Sequence, residues 1–259
     1  MNRVEGLLID LSGVVYQGEG ALPGSVKAIG LLREAGLPLR FLTNTTNWPI
    51  RAIVAKLREL GVNARRQEVF TPAVAARAYL RNGGLSPRLL AAPELAEDFA
   101  DFREGASSAL VIGDARDGFT YASLNDAFRR IEDGAELVAL ASNRMFIDYD
   151  GAPSLDVGAF VAALEYATGK EAVVLGKPAP AFFTMAVADM GLEPGRVAMI
   201  GDDLEFDVLA AIDAGLKGWL VRTGKEAARK TSLWDREPDA VFRDLLAAVE
   251  SHLKEYVGR

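Results

Sequence analysis

The sequence predicts an α/β protein: a Rossmann-like core, with a parallel sheet and helices on both faces, interrupted by a smaller inserted α/β domain. Two observations carry this expectation. Short apolar runs alternate with helical patterns, the order expected of a parallel sheet whose crossovers are helices. The alternation also breaks off near residue 71 and resumes near residue 172, with separate strand and helix patterns between. "GLLIDL" is the first strand, apolar enough for burial on both faces. "PGSVKAIGLLREAG" follows as a helix, with Pro at its start and Gly past its end. "PLRFLTN" reads as a strand and "WPIRAIVAKLRELGV" as a helix. Downstream, "AVVLGKP" leads into the helix "APAFFTMAVADMGL", and "RVAMIGDD" is a strand running into a turn before the helix "FDVLAAIDAGL". "GWLVRTG" is a further strand, and "DAVFRDLLAAVESHLKEY" a terminal helix. Residues 1–71 and 172–259 thus form the core and residues 72–171 the insert. The insert has helices near "AVAARAYLRNG" and "SLNDAFRRIEDG" and strands near "RLLAAP", "SALVIGD" and "ELVALASN".

Composition narrows the function. A chain of 259 residues suits one large or two small domains with a sizeable core. The net charge of −7, with no basic stripe to offset it, argues against nucleic-acid and anionic-membrane partners. The absence of cysteine excludes disulfides, thiol catalysis and thiolate-bound metals. In "MNRVEGLLID" the apolar run is too short for a signal segment or a membrane span, so a cytoplasmic protein is expected. The one histidine, His252, excludes a histidine-cluster metal site and reads as a surface residue.

Four predicted strands end in residues capable of chemistry, at the sheet edge where open α/β folds bind ligands. They are Asp10 after "LLID", Thr43-Asn44 after "RFL", Lys177 in "VVLGKP", and Asp202, Asp203 and Asp207 in "MIGDDLEFD". Taken singly, each reads as a turn or cap. Taken together they supply the parts of phosphoryl transfer. A carboxylate can attack phosphorus, and a hydroxyl, backbone N–H groups and a lysine can balance the phosphoryl charge. Acids from a second loop can join the first in holding Mg²⁺.

"DLSGV", "LTN", "GKP" and "GDDLEFD" resemble, in this order, the four motifs of the haloacid-dehalogenase (HAD) superfamily of phosphohydrolases. The insert between the second and third motifs resembles the C2-type cap of the NagD-like subfamily, and the likeness extends through "VRTGK" and "LDVGAFVAALEYATG". The resemblance implies Asp10 as nucleophile and Mg²⁺ ligand, Ser12 offering its backbone carbonyl to the metal, Thr43 and Asn44 binding phosphate, Lys177 pairing with it, and Asp202 ligating the metal. Asp207 and Asp203 would act through water or by orienting Lys177, and Asp203 reads equally as a helix cap. The cap would cover the site and favour small phosphorylated substrates, with Asn143, Arg144 and Asp156 facing them. Arg144 has two readings, a solvated surface arginine and a partner for a distal phosphate. Related caps often mediate homodimers, which leaves monomer and homodimer both open.

The first motif departs from the usual D-x-D-G, because Ser12 stands where the second acid protonates the leaving group. That help is worth roughly 10²–10⁴-fold, and a serine hydroxyl is a poor substitute. The expected substrates are therefore phosphates whose leaving group departs without a strong donor: pyrophosphate, phospholysine or phosphohistidine, acyl and aryl phosphates. Alkyl esters should be poor substrates. Two rivals remain, a metal-independent carbon–halogen hydrolase and a catalytically weakened phosphate-binding or regulatory protein. Two further stretches look like motifs and are set aside. "FIDYDGAP" matches D-x-D-G through Asp148 and Asp150 but reads as a hairpin turn. "GEGALPG" lacks dinucleotide-loop spacing and reads as a flap before a helix.

Overall fold

The computed structural model describes residues 3–103, 105, 107–148, 151–227 and 235–257. It divides into two compact units, one of residues 1–43, 53–70 and 177–259, the other of residues 44–52 and 71–176.

The first unit is built on a six-stranded parallel sheet. Across the sheet the strands are Ala240–Phe242, Lys217–Val221, Val197–Gly201, Gly6–Asp10, Leu39–Leu42 and Val69–Phe70. The chain starts in the middle, at Gly6–Asp10, moves outward on one side, and later returns to that strand's other neighbour before moving outward again. The order therefore reverses between Gly6–Asp10 and Val197–Gly201, the place where such sheets form a crevice at their carboxyl ends. Both strands are buried along their whole length, as their uninterrupted apolar runs require.

The helix Ser25–Glu34 starts behind Gly24 (φ 81°) and is followed by Gly36 (φ 68°), and the "GEGALPG" stretch before it forms the short hairpin Tyr16–Gln17 with Gly20–Ala21. The helix Pro180–Asp189 buries Phe182 and Phe183, with the Phe182 ring tilted against Phe70, centroids 5.3 Å apart. Two expectations are corrected here. "AVF" at the head of the supposed terminal helix is an edge strand parallel to Lys217–Val221, and the helix is Leu245–Val257. His252 is buried, with its ring 5.4 Å from Trp219. It follows Ala248 and Val249 at i+4 and i+3, and so lies in the stripe that faces the core.

The second unit holds a four-stranded parallel sheet in the order Val173–Val174, Glu136–Ala139, Ser108–Ile112, Ser86–Leu90, with the helices Pro72–Gly83, Tyr121–Glu132 and Val157–Thr168. Its extent differs from the insert read at residues 72–171. "AVV" joins this sheet, because Val173 and Val174 pair with Val138 and Ala139. Residues 44–52 join it through polar contacts that sequence spacing does not reveal. Asn47 Nδ2 donates to Asp114 (2.8 Å), the Asp114 N–H to Thr46 Oγ1 (3.1 Å), and the Ile50 N–H to the buried Asp98 (2.9 Å). Around the "FIDYDGAP" stretch, Met145–Ile147 pairs antiparallel with Pro153–Leu155, and the Asp148 carboxylate accepts from Arg116. Asp150 lies outside the described residues. Among the described residues, no helix is long and apolar enough to cross a membrane.

Phe182 is fully buried against Phe70 and Phe183, so Phe182→Ala should cost about 3–5 kcal/mol of stability. A shift in the urea midpoint at unchanged slope checks this.

Candidate active site

Asp10 is the last residue of a buried strand whose other residues, Gly6 to Ile9, are all apolar. Register sets the surroundings. Ile9 pairs with Ile200, which brings Asp202 just beyond the end of the neighbouring strand, and Asp10 pairs with Leu42, which brings Thr43 alongside on the other flank. Thr43 is itself buried.

Lys177 enters from the start of the segment before the helix Pro180–Asp189. Its Nζ donates to Asp10 Oδ1 at 2.5 Å and to Asp207 Oδ1 at 2.6 Å, and all three side chains are almost wholly buried. A buried charge is tolerable only when paired, so one ammonium offsets two carboxylates at this spot. Oxygens of Asp10, Asp202 and Asp207 lie within 4.8 Å of one another.

The charge state follows from this crowding. Burial pushes the Asp10 carboxyl up to about 7; Lys177 opposes the shift, and Asp207 and Asp202 add to it. Burial alone would strip the Lys177 proton, but the Asp10 and Asp207 carboxylates outweigh it and hold the ammonium above its ordinary range. Burial likewise raises Asp202 to about 6, against the pull of the Lys225 N–H. A buried, all-oxygen cluster that resists full ionisation is the donor set a hard divalent cation suits.

The turn after Gly201 explains how two of the acids diverge. Residues Leu204–Leu209 form a π-helical turn, in which the Val208 N–H reaches back five residues to the Asp203 carbonyl (3.2 Å). Such wide turns gather at functional sites. Asp203 Oδ1 caps this turn, accepting from the Glu205 and Phe206 N–H groups, and its other oxygen binds Lys225 at 2.8 Å. The cap reading of Asp203 therefore holds, and Asp207 is the acid that orients Lys177. Gly201 is required because a Cβ there would strike the Asp207 carboxylate.

The structure brings Asp10, Lys177, Asp202 and Asp207 into one cluster. Ser12 stands two residues past the nucleophile candidate, solvent-exposed and bridged to Tyr16. Asn44 belongs to the second unit, where its amide lies 3.5 Å from Asn143 Oδ1. Asp156 caps the helix Val157–Thr168 through the Val157 N–H at 2.7 Å, and the Arg144 carbonyl accepts from the Asp156 N–H. Sequence reasoning gave the walls of the site no role. Tyr16 is mostly buried, its phenol pushed up to about 12 by burial and the Asp10 charge. Gly13, Thr223, Gly224 and Lys225 surround Asp202. The signal available for the last three was a Thr-Gly pair at the end of the strand "GWLV".

Residues 7–114 match the family model described as haloacid dehalogenase-like hydrolase, and residues 174–248 match a HAD-hydrolase-like model. The chain is 40% identical to a zebrafish (Danio rerio) phospholysine phosphohistidine inorganic pyrophosphate phosphatase, over 98% of this chain and 96% of that protein. It belongs to the haloacid dehalogenase-like hydrolases. Within that family it is also 40% identical to human haloacid dehalogenase-like hydrolase domain-containing protein 2, over 87% of this chain and 86% of that one. Among solved structures, a 4-nitrophenylphosphatase from Thermotoga maritima superposes with a TM-score of 0.85 at 28% identity, covering 95% of this chain and 97% of that one. NagD from E. coli shares the fold at 22% identity and a TM-score of 0.84, covering 94% and 98%. The protein is thus a HAD-family hydrolase whose relatives include phosphatases.

Two stability measurements probe the cluster. Lys177→Met leaves buried carboxylates unpaired and should cost about 3–5 kcal/mol at pH 8. The cost should shrink as the pH falls through about 7, where Asp10 protonates and the wild-type ammonium loses that partner. Asp202 has a folded-state value, about 6, above its ordinary 3.8, so its ionisation opposes folding. The stability that its protonated form contributes is fully present below about pH 4 and lost as the pH rises through 6. In EDTA, Asp202→Asn should therefore be more stable than wild type above pH 6, by up to about 2–3 kcal/mol, with the difference vanishing at pH 4. Denaturant titrations across pH check both.

Proposed function

We propose that this chain is a Mg²⁺-dependent phosphohydrolase that works through an aspartyl-phosphate on Asp10 and prefers activated phosphates to alkyl phosphate esters. One observation carries the reading: Asp10 is held by Lys177 within 4.8 Å of the Asp202 and Asp207 carboxylates, at the carboxyl end of the central strand. Nucleophile, counter-charge and cation ligands therefore converge on one point.

Asp10, Asp202 and the Ser12 backbone carbonyl would hold the cation, with Asp207 joining directly or through water. The bound cation would screen Asp10 from the like charge of the incoming phosphate. Lys177 and Thr43, with Asn44, would bind phosphoryl oxygens and hold phosphorus in line with the Asp10 oxygen. The Asp10 oxygen forms a bond to phosphorus as the bond to the leaving group breaks, and the leaving group departs with the electron pair. Water then attacks phosphorus, phosphate leaves, and the Asp10 carboxylate is restored. Asp207 keeps Lys177 charged and aimed throughout.

No carboxylic acid stands at position 12 to protonate the leaving group, so the reaction suits groups that leave without that proton. The names of the relatives agree with this preference: pyrophosphate and P–N phosphates have good leaving groups, as does 4-nitrophenyl phosphate. The second unit, with its own sheet, is the C2-type cap in this reading and selects a small substrate.

A kinetic panel tests the proposal. Pyrophosphate, imidodiphosphate and p-nitrophenyl phosphate should be hydrolysed faster than glucose 6-phosphate, and EDTA or Asp10→Asn should abolish all turnover. The reverse order of substrates, or activity surviving EDTA, would overturn it. Ser12→Asp should restore turnover of alkyl phosphates by roughly 10²-fold or more while changing p-nitrophenyl phosphate far less. Equal effects on both would contradict the missing-acid account.

A further inference from the structure

Asp202 is enclosed by a segment that the catalytic reading leaves unused. Thr223, Gly224 and Lys225 follow the strand Lys217–Val221 and run past the acid, and Gly224 packs against Gly13 at the same carboxylate oxygen. The Lys225 N–H donates to Asp202 Oδ2 at 2.6 Å, and the Thr223 hydroxyl donates to the Gly13 carbonyl at 2.5 Å. Gly13 (φ 85°) and Gly224 (φ 52°) both sit in the left-handed region, and a Cβ on either would strike Asp202 Oδ2. Asp202 Oδ2 is thus held by a backbone N–H and crowded by the bare backbone of two adjoining glycines. The loop that carries Gly13 also carries Ser12, whose carbonyl belongs to the proposed cation ligands.

We infer that Thr223 is a positioning residue for the cation site, acting as the tie that joins the Ser12–Gly13 loop to the loop that orients Asp202. The inference rests on the metal-dependent reading above. Two of the proposed ligand groups come from separate loops, and a cation binds tightly only where such groups are already spaced for it. The Thr223–Gly13 hydrogen bond holds that spacing from outside the ligand set. Without it the Lys225 N–H is no longer held against Asp202 Oδ2, and the two loops must be brought together by the cation itself. Partners of this kind, which touch ligands rather than metal, typically contribute 10–100-fold in metal affinity.

Thr223→Val keeps the side-chain shape and removes the donor, whereas Thr223→Ser keeps the donor. The measurements are Mg²⁺ affinity by titration calorimetry and by the Mg²⁺-induced rise in Tm, with kcat and KM for p-nitrophenyl phosphate at saturating Mg²⁺. Thr223→Val should weaken Mg²⁺ binding roughly tenfold or more, with turnover recovering as Mg²⁺ is raised. Thr223→Ser should bind Mg²⁺ like the wild type. A purely structural role would instead lower Tm without Mg²⁺ and leave its affinity unchanged. Wild-type affinity in Thr223→Val, or equal loss in Thr223→Ser, would overturn the inference while leaving the metal-dependent reading intact. A wild-type protein that shows no Mg²⁺ response by either method would overturn both.

Discussion

One buried ammonium bridging two buried carboxylates is the constraint around which the first unit is arranged. Lys177 lies between Asp10 and Asp207 at 2.5 and 2.6 Å, in a region with almost no access to water. Neither acid would be tolerated there alone, and neither would the lysine. The interaction therefore ties together three parts of the chain far apart in sequence: the first strand, the turn after Gly201, and the segment leading into the helix Pro180–Asp189. Burial first, and the neighbouring carboxylates second, hold Asp10 and Asp202 above their ordinary range.

Backbone shape makes the crowding possible. A regular α-helical start after Gly201 would not produce the five-residue reach that the π-helical turn makes from Val208 to Asp203. Within this turn Asp203 is used up in capping, while Asp207 points at the lysine. Gly201, Gly13 and Gly224 matter because they let carboxylates approach the backbone closely where any side chain would collide. The chemistry thus depends on a few places where a Cβ cannot exist, as much as on the acids themselves.

The serine at position 12 is best understood against this background. The carboxylates proposed for nucleophilic attack and cation binding sit inside the charged cluster, where Lys177 offsets part of their mutual repulsion. The proton donor of the usual motif lies outside that network, since position 12 is exposed and not part of the buried ion pairs. In the proposed reading, its loss would narrow the leaving groups that can depart while leaving the rest of the site in place.

The sequence by itself determined the fold class, the order of strands and helices, and the four strand ends where chemistry collects. Each of those is encoded locally, by apolar periodicity and by a polar residue at the point where a buried run stops. It also carried enough to place Asp10, Lys177, Asp202 and Asp207 among the candidates. Tertiary structure decided what local pattern cannot express. "AVV" looks like a strand of the core and pairs in the other sheet, because strand partners are chosen by register and not by composition. His252 looks exposed on a helix rich in charge and is buried against Trp219, because the helix face that docks depends on the sheet beneath it. Asp203 and Asp207 are equivalent in the sequence. Only the width of the turn separates them, one becoming a cap and the other the partner of Lys177, since hydrogen-bond geometry in three dimensions decides which carboxylate reaches the lysine.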